Sequence, residues 1–192
     1  GEIRSVFPSI TANGLLENQG RFDGKGLRAI PVKGEQLRSG QLDDFPPLVH
    51  YDQRLLDHMN DGNMVIVGRE MARYYGWNVG DTITVFLPAG GVLTRGLQIK
   101  RADLTIAGYF RTGFYEFDQN LMFVSLVTAQ RMLDMNGRTS EIIIQLKDLS
   151  RLDSTKSMIR DSIPGNRFDY SMRTIKDEKG TFLAALQLAH PA

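Results

Sequence analysis

The segment that most constrains the fold runs from residue 108 to residue 126, where a β-rich stretch meets a turn rich in glycine and aromatic residues. The turn reads Gly108-Tyr-Phe-Arg-Thr-Gly-Phe-Tyr-Glu-Phe-Asp118. Glycine at 108 and at 113 indicates sharp backbone turns or the close approach of another segment. Asp118 is placed to cap or brace the turn, and the rings offer large areas for burial. We predict that Gly108, Gly113, Tyr115 and Asp118 form a structural motif.

Composition narrows the class of protein. The chain has 192 residues, of which 42% are hydrophobic, enough for a packed core in one domain or two small lobes. Basic and acidic residues number 23 and 22, so the net charge is +1 and nothing indicates a nucleic-acid partner. The absence of cysteine removes disulfides and thiolate metal sites.

The sequence lacks the marks of a membrane span and of a leader. No window holds roughly 18 consecutive apolar residues, and no basic, apolar and small-residue pattern opens the chain. The chain begins and ends abruptly, which we interpret as an excised soluble piece of a larger protein.

Hydrophobic periodicity predicts strands and helices in alternation. A polar turn at 19–26 is expected to join the first two strands as a hairpin with a moderately long loop. The predicted strands cover 3–16, 26–33, 63–67, 82–86, 102–110, 141–146 and 167–173. The predicted helices cover 52–60, 69–75, 128–133, 152–163 and 176–189.

This order predicts an α+β fold, because strands and helices alternate without a regular parallel βαβ repeat. The strands at 82–86 and 102–110 are expected to pair antiparallel. We predict a strand-rich lobe at 78–126, inserted into a lobe built from 1–77 and 127–192.

Candidate metal and phosphate sites are weak. His50 and His58 are flanked by Asp52 and Asp57, but the spacing is loose for zinc and further ligands are missing, so a solvated loop is favoured. Gly68 lies between a strand and a helix, yet no glycine-rich phosphate motif surrounds it. We predict no metal and no cofactor.

The case for catalysis is also weak. Glu116 and Asp118 lie beside aromatic residues that could raise a carboxyl pKa, and alternation along a strand would place both on one face. No histidine accompanies them in the segment, and no serine lies in a nucleophile elbow. We predict no catalytic residue and a structural role for Asp118.

The connection from 88 to 101 is the candidate partner-binding hairpin. Apolar residues on a long hairpin tip often contact a partner, although folding back onto the same domain would also bury them. The candidate residues are Val92, Leu93, Arg95, Leu97, Ile99, Lys100 and Arg101.

Several blocks, in this order, resemble the extracytoplasmic domain of the ABC permeases that release lipoproteins from the inner membrane, the LolC/LolE group. The resemblance covers most of residues 60–190, and the first sixty residues match loosely. The blocks are Met64-Val-Ile-Val-Gly-Arg-Glu-Met-Ala72, Val79-Gly-Asp-Thr-Ile-Thr84, Leu104-Thr-Ile-Ala-Gly-Tyr-Phe110, Thr112-Gly-Phe-Tyr-Glu-Phe-Asp118, Ala129-Gln130 and Lys179-Gly-Thr-Phe-Leu-Ala-Ala-Leu-Gln187.

The resemblance implies a two-lobed periplasmic domain of the MacB-like core type, between the first two membrane helices of a Gram-negative inner-membrane protein. The full permease would pair with a cytoplasmic ATPase subunit and a permease partner. By mechanotransmission it would couple ATP hydrolysis to release of lipoprotein cargo and hand-over to a periplasmic chaperone, without being an enzyme itself.

The segment 88–101 occupies the position of the hook that captures the chaperone in LolC-like members. It carries neither an aromatic residue nor a second proline, which such hooks tend to have. The alternatives are therefore a LolC-like role with chaperone capture and a LolE-like role with lipoprotein contact. A MacB-type or FtsX-type permease with another cargo fits the block at 112–118 less well. A periplasmic hydrolase is disfavoured because no nucleophile, base and orienting acid stand in plausible motifs.

Overall fold

Eight strands and five short helices make up the parts of the chain described by the structure, a computed structural model that covers residues 2–31, 45–89, 98–162 and 171–174. The strands are β1 (Ile3–Asn18), β2 (Arg21–Ile30), β3 (Leu48–Tyr51), β4 (Met64–Gly68), β5 (Thr82–Ala89), β6 (Gln98–Phe110), β7 (Leu121–Ser125) and β8 (Glu141–Leu146). The helices are α1 (Gln53–Asp57), α2 (Arg69–Tyr75), α3 (Tyr115–Asn120), α4 (Leu126–Met132) and α5 (Leu152–Ser162), the last preceded by a 3₁₀ turn, Leu149–Arg151.

Six of the strands close into a ring. The sheet runs in the order β2-β7-β4-β6-β5-β1-β8, and the pairing of β1 with β2 joins the first of these strands to the sixth. The β2–β7 and β4–β6 pairs are parallel, and the other pairs around the ring are antiparallel. This mixed sheet with helices agrees with the α+β class, although the structure is richer in strands than that class implies.

The first hairpin is tighter than predicted. Asn18 pairs with Arg21, so Gln19 and Gly20 alone form the turn, with φ of 51° and 79°. Positive φ at both central residues matches the right-handed twist of the flanking strands. The predicted loop at 19–26 is therefore wrong, because most of these residues extend β2.

Two apolar clusters lie on opposite faces of the sheet. Side chains in alternation along the strands fill the inside of the ring, including Leu16, Leu27, Val85 and Leu104. A second cluster lies on the outer face of β4, β6 and β7 and includes Phe110 and Phe123. Helix α1 contributes Leu56 to this cluster. The period-two pattern of the sequence thus becomes two buried layers.

Helix α2 follows its strand as predicted. Met71 and Ala72 are buried, and Tyr75 packs against the apolar cluster inside the ring of strands. Gly76 ends the helix with φ 72°. Glycine adopts this left-handed conformation without steric cost. The prediction for 69–75 is confirmed.

Some predictions fall outside the described residues. The closing helix at 176–189 lies there entirely, as does most of the strand at 167–173; residues 171–174 carry no strand. The strands at 82–86 and 102–110 pair with β1, β3 and β4, which lie outside 78–126, and the two-lobe division stays a prediction. Within the described ranges no helix has the length and apolar character to cross a membrane.

Candidate interaction surfaces

The hairpin of β5 and β6 is an antiparallel ladder that runs further out than predicted. Pairing extends from Thr82 with Thr105 to Ala89 with Gln98. The antiparallel pair is confirmed, and β6 begins at Gln98, ahead of the predicted start at 102. The predicted candidates Val92, Leu93, Arg95 and Leu97 lie outside the described residues.

The remaining three candidates are strand residues, and alternation splits them between two faces. Ile99 is 62% exposed. It lies on the same face as Arg101. Lys100 is the cross-strand partner of the buried Leu87 and therefore lies on the other face. Lys100 forms an ion pair with Asp134. The structure therefore does not bring the two cations together.

Arg101 is tied to a neighbouring carboxylate. Its guanidinium donates to Asp103 at 3.1 Å, and Thr84 Oγ1 donates to the same carboxylate at 2.7 Å. These bonds hold the pKa of Asp103 below its ordinary value, the Thr84 hydroxyl first and Arg101 second. The ion pair is exposed, so its contribution to stability is small.

An apolar strip continues from the hairpin across the outside of the ring. Because Ile83, Val85 and Leu87 point inward, Phe86 and Pro88 point outward. Phe22 is 56% exposed and meets the Phe86 ring edge-on at 5.6 Å. Leu15 pairs with Phe86, and Ile99 pairs with Pro88. We call Leu15, Phe22, Phe86, Pro88 and Ile99 the outer strip.

The sequence analysis did not single out Leu15, Phe22 or Phe86. The alternation in 82–89 places Phe86 on the face opposite to Ile83, Val85 and Leu87. That alternation could have indicated from the sequence that Phe86 points outward. The pairing of β5 with β1 brings Leu15 beside it, and no local pattern reveals that pairing. Exposed apolar surface of this kind often marks a contact site.

The turn at residues 111–118, which we call the Asp118 turn, satisfies its polar groups internally. Asp118 is 2% exposed. Its Oδ1 accepts from the Thr112 backbone at 2.8 Å and the Thr112 hydroxyl at 2.7 Å, and its Oδ2 accepts from the Gly113 backbone at 3.4 Å. Gly113 has φ 88°, a conformation that favours glycine.

Two glycines allow backbones to approach closely around this turn. A Cβ added to Gly68 would lie 2.0 Å from the carbonyl oxygen of Asp118. One added to Gly108 would lie 2.7 Å from Tyr51 Cβ and 2.9 Å from the His50 carbonyl oxygen. Gly68 therefore allows the backbone of α3 to lie against the end of β4, a contact that the sequence analysis did not predict.

The segment after Gly113 is a helix rather than the strand considered from the sequence. In α3, Glu116 is exposed while Asp118 is buried, so the two carboxylates do not share a face. Tyr115 is 63% exposed and Phe114 is 40% exposed. Of the other rings in the segment, Phe110 is fully buried, and Tyr109 and Phe117 are partly buried.

The histidines lie apart from these carboxylates. His50 lies on β3 with its ring 5.5 Å from that of Tyr109, and His58 ends α1 with Nδ1 3.9 Å from Asp61. Across the described ranges, no three histidine or carboxylate side chains are grouped as metal ligands.

Comparison with known proteins places these features in context. No protein-family model matches the chain. LolC of Neisseria meningitidis, a lipoprotein-releasing system transmembrane protein, is 24% identical over 146 residues, which is 76% of this chain and 34% of that protein. LolC of Xylella fastidiosa is 25% identical over 155 residues, 77% of this chain and 34% of the relative. The chain thus spans about a third of the length of these relatives.

Solved structures with partial similarity are also extracytoplasmic parts of transporters. The extracellular domain of the noncanonic ABC-type transporter YknZ from Gram-positive bacteria has a TM-score of 0.46 at 15% identity, with 80% of this chain and 71% of that one covered. The periplasmic region of MacB from Actinobacillus actinomycetemcomitans has a TM-score of 0.46 at 14% identity, with 84% and 66% covered. The resemblance stated from the sequence is confirmed: this chain is homologous to LolC over about three quarters of its length.

Proposed function

We propose that this chain is the periplasmic domain of an inner-membrane ABC permease that releases lipoproteins. The full-length permease would work with a cytoplasmic ATPase and a permease partner, and would pass cargo to a periplasmic chaperone. The observation that carries this proposal is the sequence similarity to LolC, a lipoprotein-releasing protein. The two-lobed arrangement predicted from the sequence belongs to the same proposal.

The β5–β6 hairpin and the outer strip are the proposed contact surface. Ile99 lies at the end of the described ladder, next to the segment that contains Val92, Leu93, Arg95 and Leu97. An apolar groove on the chaperone would bury the aliphatic side chains of this set, each worth about 1.5–3 kcal/mol before the cost of ordering the loop. Arg101 would add steering toward an acidic rim, and Lys100 would take part only if it leaves Asp134.

A LolE-like role is the second candidate. The segment 88–101 has no aromatic residue and a single proline, which favours lipoprotein contact over chaperone capture. A mechanotransmission permease of the MacB or FtsX type with another cargo shares the ATPase coupling and differs in its partner. None of these roles requires the chain to be an enzyme, and the bonds of Asp118 within its own turn support a structural part for that carboxylate.

Calorimetry with the purified chain and the cognate lipoprotein chaperone tests the hairpin. We expect measurable binding that weakens by about tenfold or more when Leu93→Asp and Leu97→Asp are combined. Val127→Asp on α4, where the side chain is 50% exposed, is the matched control and should leave binding unchanged. Binding that survives the double substitution would show that the hairpin is not the contact.

A release assay with the full permease tests the function itself. The permease and its ATPase, reconstituted in vesicles with a lipoprotein, should release cargo only when ATP and the chaperone are present. The LolE-like role predicts cross-linking of the hairpin to lipoprotein, with no chaperone binding. ATP hydrolysis without any lipoprotein release would contradict both roles and favour another cargo.

A further inference from the structure

A groove of about 620 Å³ lies between helix α2 and the face of strands β3 and β6. One wall is the helix face that carries Arg69, Ala72 and Arg73, and the other wall carries His50 and Tyr109. Ala72 is small, so the helix side of the groove is recessed between the two arginines. The residues that line this groove include none of the hairpin segment 88–101 and none of the Asp118 turn.

The end of the groove is built around Trp77. Gly76 turns the chain out of α2, and the Trp77 backbone N–H donates to the Ala72 carbonyl at 2.9 Å. The Tyr109 hydroxyl donates to the Trp77 carbonyl at 2.8 Å, and the Tyr75 ring stacks on the indole at 4.5 Å. Two hydrogen bonds fix the Trp77 backbone and the Tyr75 ring stacks on its indole, so this part of the groove is preformed.

The groove is rich in donors and positive charge. Arg69 and Arg73 both line it, and no carboxylate does. Arg73 donates to Glu70 at 3.0 Å, whereas Arg69 makes no hydrogen bond or ion pair within the described part of the chain. Two acids lie next to lining residues: Glu70 pairs with Arg73, and Asp81 accepts from the Asn78 backbone at 2.7 Å. A ligand that complements this lining must supply acceptors and negative charge.

The spacing of the arginines matches an extended peptide. Arg69 and Arg73 are four residues apart on a helix, which is a rise of about 6 Å. Alternate residues of an extended chain are about 6.6 Å apart and point to one side. Two acidic residues separated by one residue can therefore reach both guanidinium groups, each able to bind a carboxylate in bidentate fashion.

We propose that this groove binds an acidic, extended segment of a protein partner. Its carboxylates pair with Arg69 and Arg73, and an apolar side chain of the same segment packs against Trp77. The groove is open to solvent along its length, with Arg69, Arg73 and Asn78 exposed, which suits a chain segment that passes through. The proposal goes beyond lipoprotein release and does not depend on the partner of the hairpin.

Fluorescence provides a direct test, because Trp77 is the single tryptophan of the sequence. The probe is a capped peptide with the core Glu-Ser-Glu-Ser-Leu between short serine and glycine arms, because its two glutamates and its leucine point to one side when the chain is extended. We expect a saturable change in Trp77 emission with a Kd of about 1 mM or tighter. Replacing both glutamates by glutamine should weaken binding about tenfold or more. Added salt should also weaken binding, because the guanidinium groups are exposed.

Variants separate this groove from other basic surfaces. Arg69→Gln with Arg73→Gln should abolish the saturable change, and Arg69→Gln alone should weaken binding without affecting folding, since Arg69 is exposed. Arg160→Gln on α5, an exposed cation outside the groove and outside the hairpin, is the matched control and should bind as the unmodified chain does. Equal binding by the double variant, no saturable change at all, or a stronger response to phosphatidylglycerol vesicles than to the peptide would each overturn the proposal.

Discussion

The Asp118 turn and the outer strip differ in whether their side chains find partners within the chain. In the turn, a carboxylate that is 2% exposed accepts hydrogen bonds from two neighbouring residues, and a helix backbone lies against Gly68. On the strip, Phe22 and Ile99 keep more than half of their side-chain surface in water. The turn is completed by its own chain, whereas the strip leaves apolar surface exposed.

This difference separates residues that stabilise the fold from residues that can serve a partner. Buried polar groups with full hydrogen bonding are costly to disturb, because any orphaned group stays out of water. Exposed apolar groups cost little to replace in the isolated chain. Measurements of stability should therefore respond to the turn, and measurements of binding should respond to the strip.

The largest expected effect is that of Gly68→Ala. The added Cβ would lie 2.0 Å from the Asp118 carbonyl oxygen, so the backbones of β4 and α3 must separate. We expect a loss of about 3 kcal/mol in the free energy of unfolding, measured by urea denaturation. Gly24→Ala is the matched control, since a Cβ there meets nothing within 4 Å. Equal losses in the two variants would mean that the close approach does not matter.

The next effect is that of Asp118→Ala. It leaves the buried Thr112 N–H without its acceptor at 2.8 Å and should cost about 1–3 kcal/mol in unfolding free energy. Thermal denaturation of the isolated chain measures the loss. Glu116→Ala on the same helix is the control, and its exposed side chain should leave the melting temperature nearly unchanged. An unchanged melting temperature for Asp118→Ala, together with lost transport, would assign Asp118 to a partner contact instead.

A smaller effect is expected at alkaline pH, and it comes from Tyr75. Burial, then the hydrogen bond of its hydroxyl to Asp23 at 2.5 Å, raises the pKa of Tyr75 above its ordinary value of 10.0. Above that value the unfolded chain loses the phenol proton while the folded chain keeps it. Stability should therefore fall as pH rises past 10.0.

Unfolding by urea at several values between about pH 8 and about pH 11 tests this, with Tyr75→Phe as the comparison. The variant should lose less stability across that range. Lys25 acts in the opposite direction, because burial lowers its pKa and the unfolded chain holds its proton to higher pH. The difference between the two proteins isolates Tyr75, since Lys25 is present in both. An identical pH dependence would rule out the phenol as its source.

The smallest effect on stability is expected on the strip. Ile99→Ser changes a side chain that is 62% exposed, and the unfolding free energy should move by about 0.5 kcal/mol or less. The same variant should weaken chaperone binding in calorimetry if the strip continues the hairpin contact. Leu87→Ser, at the buried neighbouring position, is the contrast and should destabilise the chain strongly. If both variants lose a large part of the unfolding free energy, the strip is not energetically distinct from the core.

Local chemistry was sufficient to predict some parts of this fold. The apolar run at 63–67, the helical spacing of 69–75 and the glycine at 76 determine β4, α2 and its end. The alternation at 82–86 and 102–110 likewise predicts the two strands of the β5–β6 ladder. In these segments the pattern and the packing agree because each element buries its own apolar face.

Other parts depend on pairings between distant segments. The parallel β2–β7 and β4–β6 pairs close the ring, and no local pattern shows them. Helix α3 replaces an expected strand because Asp118 binds back to Thr112 and Gly113 across the turn. The outer strip becomes visible only when β1 lies beside β5. The groove by Trp77 needs α2 to lie across β3 and β6.

The long first strand has a mechanical consequence. β1 pairs with β8 through Ile3–Ser9 and with β2 from Ile10 onward. A single continuous strand therefore belongs both to the β1–β8 pair and to the closed ring. At its start, Glu2 is held by Arg151 at 3.1 Å and by Thr155 at 2.9 Å, which ties α5 to the same strand. A shift of α5 that keeps these two side-chain bonds would therefore move the start of β1 with it, and β1 continues from there into the ring without an intervening loop.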